Sequence, residues 1–354
     1  MNENKNYENK NTIIDMKGMK VNAGMWLIAF LCLAMQSFAQ TQTITVDVAG
    51  TLEEKLGDNK ATTEELIVSG SLNGADIKCI RQMLKLRVLN MKEASIVSGG
   101  GAYYIQHETS ENTIGQQMFY NMNRLTSVAL PKDIIYISDN AFENCVNLEE
   151  VNMPDKLHSL GGYTFKNCIK LRSINIPDGV EQISYECFNG CSSLESVRIP
   201  SSVKILFQFA FHNCKSLSSI DLSNVIRIDY YNFANCISLS QIKLSPQLSS
   251  IGEYVFSGCT ALTEIILPDG INEISSSTFK GCINLTSVTL PSELAVIGSD
   301  AFYECKSLKS IEIPQNVGVI NAGAFYGCTE LTSATLPAGL GILGNLAFSR
   351  CKKL

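Results

Sequence analysis

The sequence is poor in the residues that catalysis and metal binding most often use. Its 354 residues include three histidines, His107, His158 and His212, which fall on an insertion and on two variable positions with no nucleophile or metal-ligand spacing around them. No phosphate-cradling glycine motif appears, and Ser98-Gly99-Gly100-Gly101 reads as flexible loop. Tryptophan occurs once, at Trp26. A basic run is missing as well: 28 Lys and Arg stand against 34 Asp and Glu, for a net charge of −6. That balance gives no electrostatic reason to seek nucleic acid or an anionic membrane surface. An enzyme, a cofactor and a bound metal are therefore not expected.

Long apolar runs are also scarce, and the one at Met25 to Met35 (MWLIAFLCLAM) is too short to span a bilayer, which takes about 20 residues. Lys17 and Lys20 precede it and Ser37-Phe38-Ala39 follows it, which together form the basic, apolar and small-residue regions of a secretory signal. Residues 1–39 are expected to be removed, leaving Gln40 first and no membrane span. The polar stretch before Met16 is not signal-like, so translation starting at Met16 or Met19 fits the pattern better.

What is abundant is periodic. Phenylalanine recurs at Phe119, Phe142, Phe165, Phe188, Phe211, Phe233, Phe256, Phe279, Phe302, Phe325 and Phe348, at intervals of 23 residues with a single interval of 22. Cysteine follows three residues later from Cys145 to Cys351, with Met122 in the first copy, and leucine three residues after that, from Leu125 to Leu354. Two further apolar positions, such as Ile174 and Ile176, alternate as a short strand. Proline closes that strand at Pro131, Pro154, Pro177, Pro200, Pro268, Pro291, Pro314 and Pro337, and Pro246 is displaced by one. Lacking an amide hydrogen, proline belongs where a strand ladder ends. The second half of each unit, with Val180 and Ile183 ahead of Phe188, is too short for a regular helix and predicts a short strand or one helical turn.

One such unit cannot bury its own apolar side, so the copies must stack. The expected fold is an α/β leucine-rich-repeat solenoid with a parallel β-sheet on one face and short strands or single helical turns on the other. Residues 40–96 read as an N-terminal cap with degenerate repeats. Within it, Thr43 to Val48 forms an edge strand and Thr51 to Leu56 a helical turn. Residues 97–113 read as a mobile insertion loop, and 114–354 as the array, ending in mid-unit in the manner of a fragment. Ser223 replaces the usual proline in the 22-residue coil, so an irregularity in the sheet is expected there.

The unit Leu-x-x-Ile-x-Leu-Pro followed by Ala-Phe-x-x-Cys-x-x-Leu, best seen from Leu285 to Leu308, resembles the BspA-like leucine-rich repeats of bacterial surface proteins. The stretch from Val68 to Ile77 is similar to the leader that often precedes such repeats. The resemblance implies a secreted or cell-surface protein, some relatives being linked to adhesion, and it carries no fixed ligand residues.

The cysteine row first suggests zinc or disulfides. A thiol every 23 residues makes a line rather than a converging tetrad, and each sits in an apolar row where it behaves as a small hydrophobe. Spacing alone leaves a disulfide between neighbours open. The phenylalanine row reads as core. A ligand would instead meet the outward strand positions: Ser173 and Asn175, Ser196 and Arg198, Ser219 and Asp221, Gln241 and Lys243, and Glu264. Three readings follow. The sheet face contacts a host or neighbouring-cell surface protein; or tyrosines such as Tyr103, Tyr104, Tyr303 and Tyr326, with the 97–113 loop, bind a glycan; or the array is a spacer whose outward residues only keep it soluble.

Overall fold

The computed structural model describes residues 40–354, so the expected signal segment lies outside the described residues. The rest is a parallel β-solenoid of about 13 turns with few helices. It opens with β1 (Thr41–Val46), α1 (Leu52–Leu56), β2 (Glu65–Leu72), α2 (Gly74–Arg81) and β3 (Val88–Ile96). These strands pair in parallel, and β3 continues into the first array strands, Ser127–Ala129 and Glu150–Asn152. The buried carboxylate of Asp76 ties the two helices together by accepting from the backbone N–H of Gly50, Leu52 and Asn73 at 2.6, 2.9 and 2.9 Å. Among the described residues no helix is long and apolar enough to cross a membrane.

From there each coil has a front strand of three or four residues, such as Ser173–Asn175, and a back strand of two, such as Gln182–Ile183. The second half of the unit is thus a strand and not a helical turn. Between back and front lies a corner built on the phenylalanine. The rings from Phe119 to Phe325 are wholly buried, and they stack with Phe348 at centroid spacings of 4.9 to 5.8 Å and tilts of at most 20°. Parallel rings one coil apart are the arrangement that offset stacking favours.

The cysteines have a polar task beyond filling space. Each thiol three residues after a phenylalanine, from Cys145 to Cys351, donates to the carbonyl of the phenylalanine in the preceding coil, at 3.0 to 3.2 Å. Burial pushes the thiols of this row from Cys145 to Cys305 up, to about 12 for Cys145, Cys236 and Cys282. A small apolar side chain with one weak donor suits a site that must fill a gap and satisfy a carbonyl.

The corner backbone alternates in hand. In every coil the residues two before and two after the phenylalanine have positive φ, as at Asn140 (59°) and Asn144 (60°) around Phe142. The alternation turns the N–H groups toward the next coil: Asn140, Phe142 and Asn144 donate to the carbonyls of Gly162, Thr164 and Lys166 at 2.8 to 2.9 Å. Each coil therefore leaves three carbonyls facing backwards. In the first array coil the cap covers them. The Tyr103 hydroxyl donates to Gln116 O at 2.7 Å, and the Arg81 guanidinium reaches Met118 O at 2.8 Å and Tyr120 O at 3.5 Å.

Tyr103 belongs to the segment expected to be a mobile loop, and here the expectation needs correcting. It is a β-hairpin, β4 (Gly99–Tyr104) and β5 (His107–Thr109), with Tyr103 and Thr109 buried. The glycines that suggested looseness allow contact instead. A Cβ on Gly100 would stand 2.2 Å from Asn73 Oδ1, the residue that caps α2, so only glycine lets the hairpin lie against that helix end.

Candidate functional site

The outward residues of the front strands form the face on which sequence reasoning placed a ligand. Its centre lies at the 22-residue coil. In most coils the proline carbonyl opens the turn, as when Val203 N–H donates to Pro200 O; in the short coil Leu222 O takes that role for Val225, one residue early. Serine also follows the next strand, at Ser245. Where serine replaces proline the front strands gain a residue, so that Ser219–Leu222 and Gln241–Leu244 pair over four positions.

The irregularity expected near Val225 appears as this lengthening, and a seam follows it. Gln241–Leu244 does not pair with Glu264–Ile266, which pairs instead with Ser287–Thr289. Similar seams interrupt the front ladder elsewhere, after Asn175's partner strand Ser196–Arg198 for example. Here, however, the face also forms a cleft of about 950 Å³, with Ser219, Asp221, Gln241 and Lys243 on one wall and Glu264, Ile266 and Thr289 on the other.

Ser173, Asn175, Ser196 and Arg198 lie on earlier strands outside this cleft. Arg198 is tied to the preceding coil, donating to Asp178 Oδ1 at 2.7 Å, Ile176 O at 3.0 Å and Asn175 Oδ1 at 3.4 Å. Lys243 reaches Asp221 at 3.5 Å. The Ser223 hydroxyl and N–H hold the Asp221 carboxyl below the usual carboxylate range, with Lys243 adding to the effect. Ile266, an outward residue left out of the sequence-derived site, is 73% exposed. Its signal was a large aliphatic residue in a row that is otherwise polar from Asn152 to Thr335.

The tyrosines named for a sugar site are otherwise engaged. Tyr103 is buried, Tyr104 carries the Arg81 guanidinium 4.1 Å from its centroid, and Tyr303 and Tyr326 stack on each other at 4.8 Å under Lys280 and Arg350. Sequence reasoning missed a larger aromatic cluster at the corner, around Phe209, Tyr230, Tyr231 and Tyr254. Of the histidines, His107 meets Gln117 at 3.1 Å and His212 meets Asn189 at 3.2 Å, and burial lowers the His212 pKa. Among the described residues no three His, Cys, Asp or Glu side chains are grouped to hold a metal ion.

Coils with a parallel front ladder, a back layer and stacked corner residues define a leucine-rich-repeat solenoid. The family model described as the BspA type leucine rich repeat region matches residues 112–240 and 226–354, and the chain belongs to that family. A leucine-rich repeat protein from Bacteroides ovatus is 27% identical, with 76% of this chain and 85% of that one covered and a TM-score of 0.44. A leucine rich cell surface protein from Faecalibacterium prausnitzii is 25% identical over 75% and 86%, with a TM-score of 0.44. A leucine-rich repeat protein from Eubacterium ventriosum is 20% identical over 79% and 86%, with a TM-score of 0.49. A search of curated proteins returns no match.

Proposed function

We propose that this is an exported adhesion protein that binds a protein on a host or neighbouring cell through the front sheet face. Leucine-rich-repeat surface proteins generally mediate protein interaction, and the Faecalibacterium prausnitzii protein is described as a cell surface protein. The signal-like segment before Gln40 supports export.

The observation that carries the reading is Ile266. It stands 73% exposed on the wall of the central cleft, with Glu264 on its own strand and Lys243 opposite. A partner that covered this side chain would gain about 1.5 to 2 kcal/mol of apolar burial, and the two charges beside it would fix orientation. Most other charges on the face are already paired, so they supply solubility before affinity.

The test is binding of the full chain to immobilised extracellular-matrix proteins and to whole cells. Ile266→Ser is expected to weaken capture about tenfold and Lys243→Ala by less, while Arg198→Ala, which removes an internally tied side chain, changes it little. Capture that is indifferent to Ile266→Ser and Lys243→Ala would contradict the reading.

A further inference from the structure

The position two residues before each core phenylalanine has positive φ in every coil. Some coils fill it with residues that tolerate this backbone, Asn140 and Gly323. Others place a ring there: Tyr163 (55°), Phe209 (58°), Tyr231 (58°) and Tyr254 (58°). A bulky residue in the left-handed region carries backbone strain. The core does not call for it, because these side chains lie outside the stacked phenylalanines and are half-buried. Gln117, Glu186, Asp300 and Leu346 share this backbone in other coils, but among the described residues only Tyr163, Phe209, Tyr231 and Tyr254 use it to place a ring outside the core.

Phe209, Tyr231 and Tyr254 form a three-ring stack, with centroids 4.8 and 4.4 Å apart and tilts of 12° and 7°. Tyr230 lies 5.5 Å from Phe209 and 6.2 Å from Tyr231, nearly perpendicular to both. Those two distances are too similar for Tyr230 to cap one end of the stack, so it stands beside it. It is 45% exposed. His212 makes the same kind of edge contact with Phe209 and Tyr231.

The corner ladder sets the neighbours of Tyr230. The carbonyls of Gln208, Tyr230 and Glu253 accept in successive rungs, from Glu186, Phe209 and Tyr231, so Gln208 and Glu253 flank the ring one coil before and one coil after. Among the described residues neither side chain makes a hydrogen bond or an ion pair. An exposed ring on a rigid support, between an uncommitted amide and an uncommitted carboxylate, makes a surface that is apolar at its centre and polar at both sides.

We propose that this corner is a second binding site, for a neutral saccharide, with Tyr230 as the stacking platform and Gln208 and Glu253 as hydrogen-bond partners. A pyranose ring offers a face of C–H groups to the tyrosine and a rim of hydroxyls that both donate and accept. An apolar peptide anchor seated there would instead strip water from Gln208 and Glu253 without replacing their hydrogen bonds. The Glu253 carboxylate repels uronate, sialate and sulfate groups, which restricts the class to uncharged sugars. Arg227 does not offset it, being held by Asp229 at 2.9 Å.

The full chain is tested against immobilised glucan, mannan and N-acetylglucosamine oligomers, with heparin and hyaluronan as acidic controls. Binding to at least one neutral glycan and to neither acidic one is expected. Tyr230→Ala should weaken it about tenfold and Glu253→Ala several-fold, Tyr230→Phe should stay within about threefold, and Tyr303→Ala should have no effect. Four results would overturn the proposal: no neutral glycan bound, an acidic glycan preferred, Tyr230→Phe as damaging as Tyr230→Ala, or Tyr230→Ala abolishing capture of a matrix protein instead. Ile266→Ser leaves this binding intact, so the corner and the sheet face stand or fall separately.

Discussion

The corner and the front face of the same coils follow opposite rules. At the corner the coils from Phe142 to Phe325 repeat one solution: a stacked ring, a thiol on the preceding carbonyl, and N–H groups aimed at the next coil. On the front face the ladder is interrupted, strand length varies, and the outward residues change from coil to coil. The periodic side thus accounts for stability, and the aperiodic side is free to vary with a ligand. The contrast can be broken by perturbing each side in turn.

The largest effect is expected from alkali. A buried thiol whose pKa is raised stays protonated when the unfolded chain, titrating near 8.5, has lost its proton. The folded state then binds more protons, so stability is full below about pH 8.5 and falls as pH rises toward the folded value. For Cys145, Cys236 and Cys282, pushed up to about 12, the loss is about 1.4 kcal/mol per pH unit for each thiol. The denaturant midpoint should drop steeply between pH 8.5 and 10, and a variant with alanine at those three positions should drop less. Equal slopes for both proteins would mean that the thiols are not shielded as the structure has them.

Next comes a single ring. Phe233→Ala removes a fully buried side chain and two stacking contacts, with Phe211 and Phe256, and should cost about 3 to 5 kcal/mol. Because the Phe233 ring stacks only on the rings of its two neighbouring coils, the damage should concentrate there. Amide exchange is expected to accelerate in the coils of Phe211 and Phe256 while the hairpin β4–β5 keeps its protection. A uniform acceleration along the chain would show that the array unfolds as one unit.

A smaller loss is expected from the cap. Arg81→Met keeps the apolar stem but uncovers Met118 O and Tyr120 O, and water can reach part of the site, so the cost should be about 1 to 3 kcal/mol. Chemical denaturation of the variant measures it. A change below about 0.5 kcal/mol would mean that the carbonyl end of the ladder needs no cap.

Much of this was legible beforehand, for a physical reason. The core rows are set by side-chain chemistry, so Phe, Cys, Leu and Pro each announce their own layer. The residue two after each phenylalanine is asparagine or glycine in Asn121, Asn144, Asn167, Gly190, Asn213, Asn235, Gly258 and Gly281, which marks a positive-φ site that could have been read from the sequence. Its counterpart two before was hidden, because Tyr163, Phe209 and Tyr231 are residues that do not advertise such a backbone. The hairpin was hidden too, since Gly99 to Gly101 look alike whether they confer freedom or permit contact with Asn73. The cleft depends on which strands share hydrogen bonds, a backbone matter that only Ser223 and the displaced Pro246 hinted at. The candidate site was accordingly sketched from outward positions, and its centre lies further along the array, toward Ile266, than Asn175 and Arg198 suggested.

The smallest effect belongs to the front face itself. The Asp221 carboxyl, held low first by Ser223 and then by Lys243, favours the folded state at neutral pH, where both folded and unfolded forms are ionised. That advantage exists above the unfolded value of about 3.9 and is lost as pH falls through the lower folded value. The side chain is 63% exposed, so solvent screens it and the contribution is at most a few tenths of a kcal/mol. Asp221→Asn should therefore lie slightly below the parent in unfolding midpoint at pH 6 and converge with it near pH 3. A gap that persists at pH 3 would point to lost hydrogen bonding in the turn at Ser223, and the short coil would then owe its shape to that turn more than to charge.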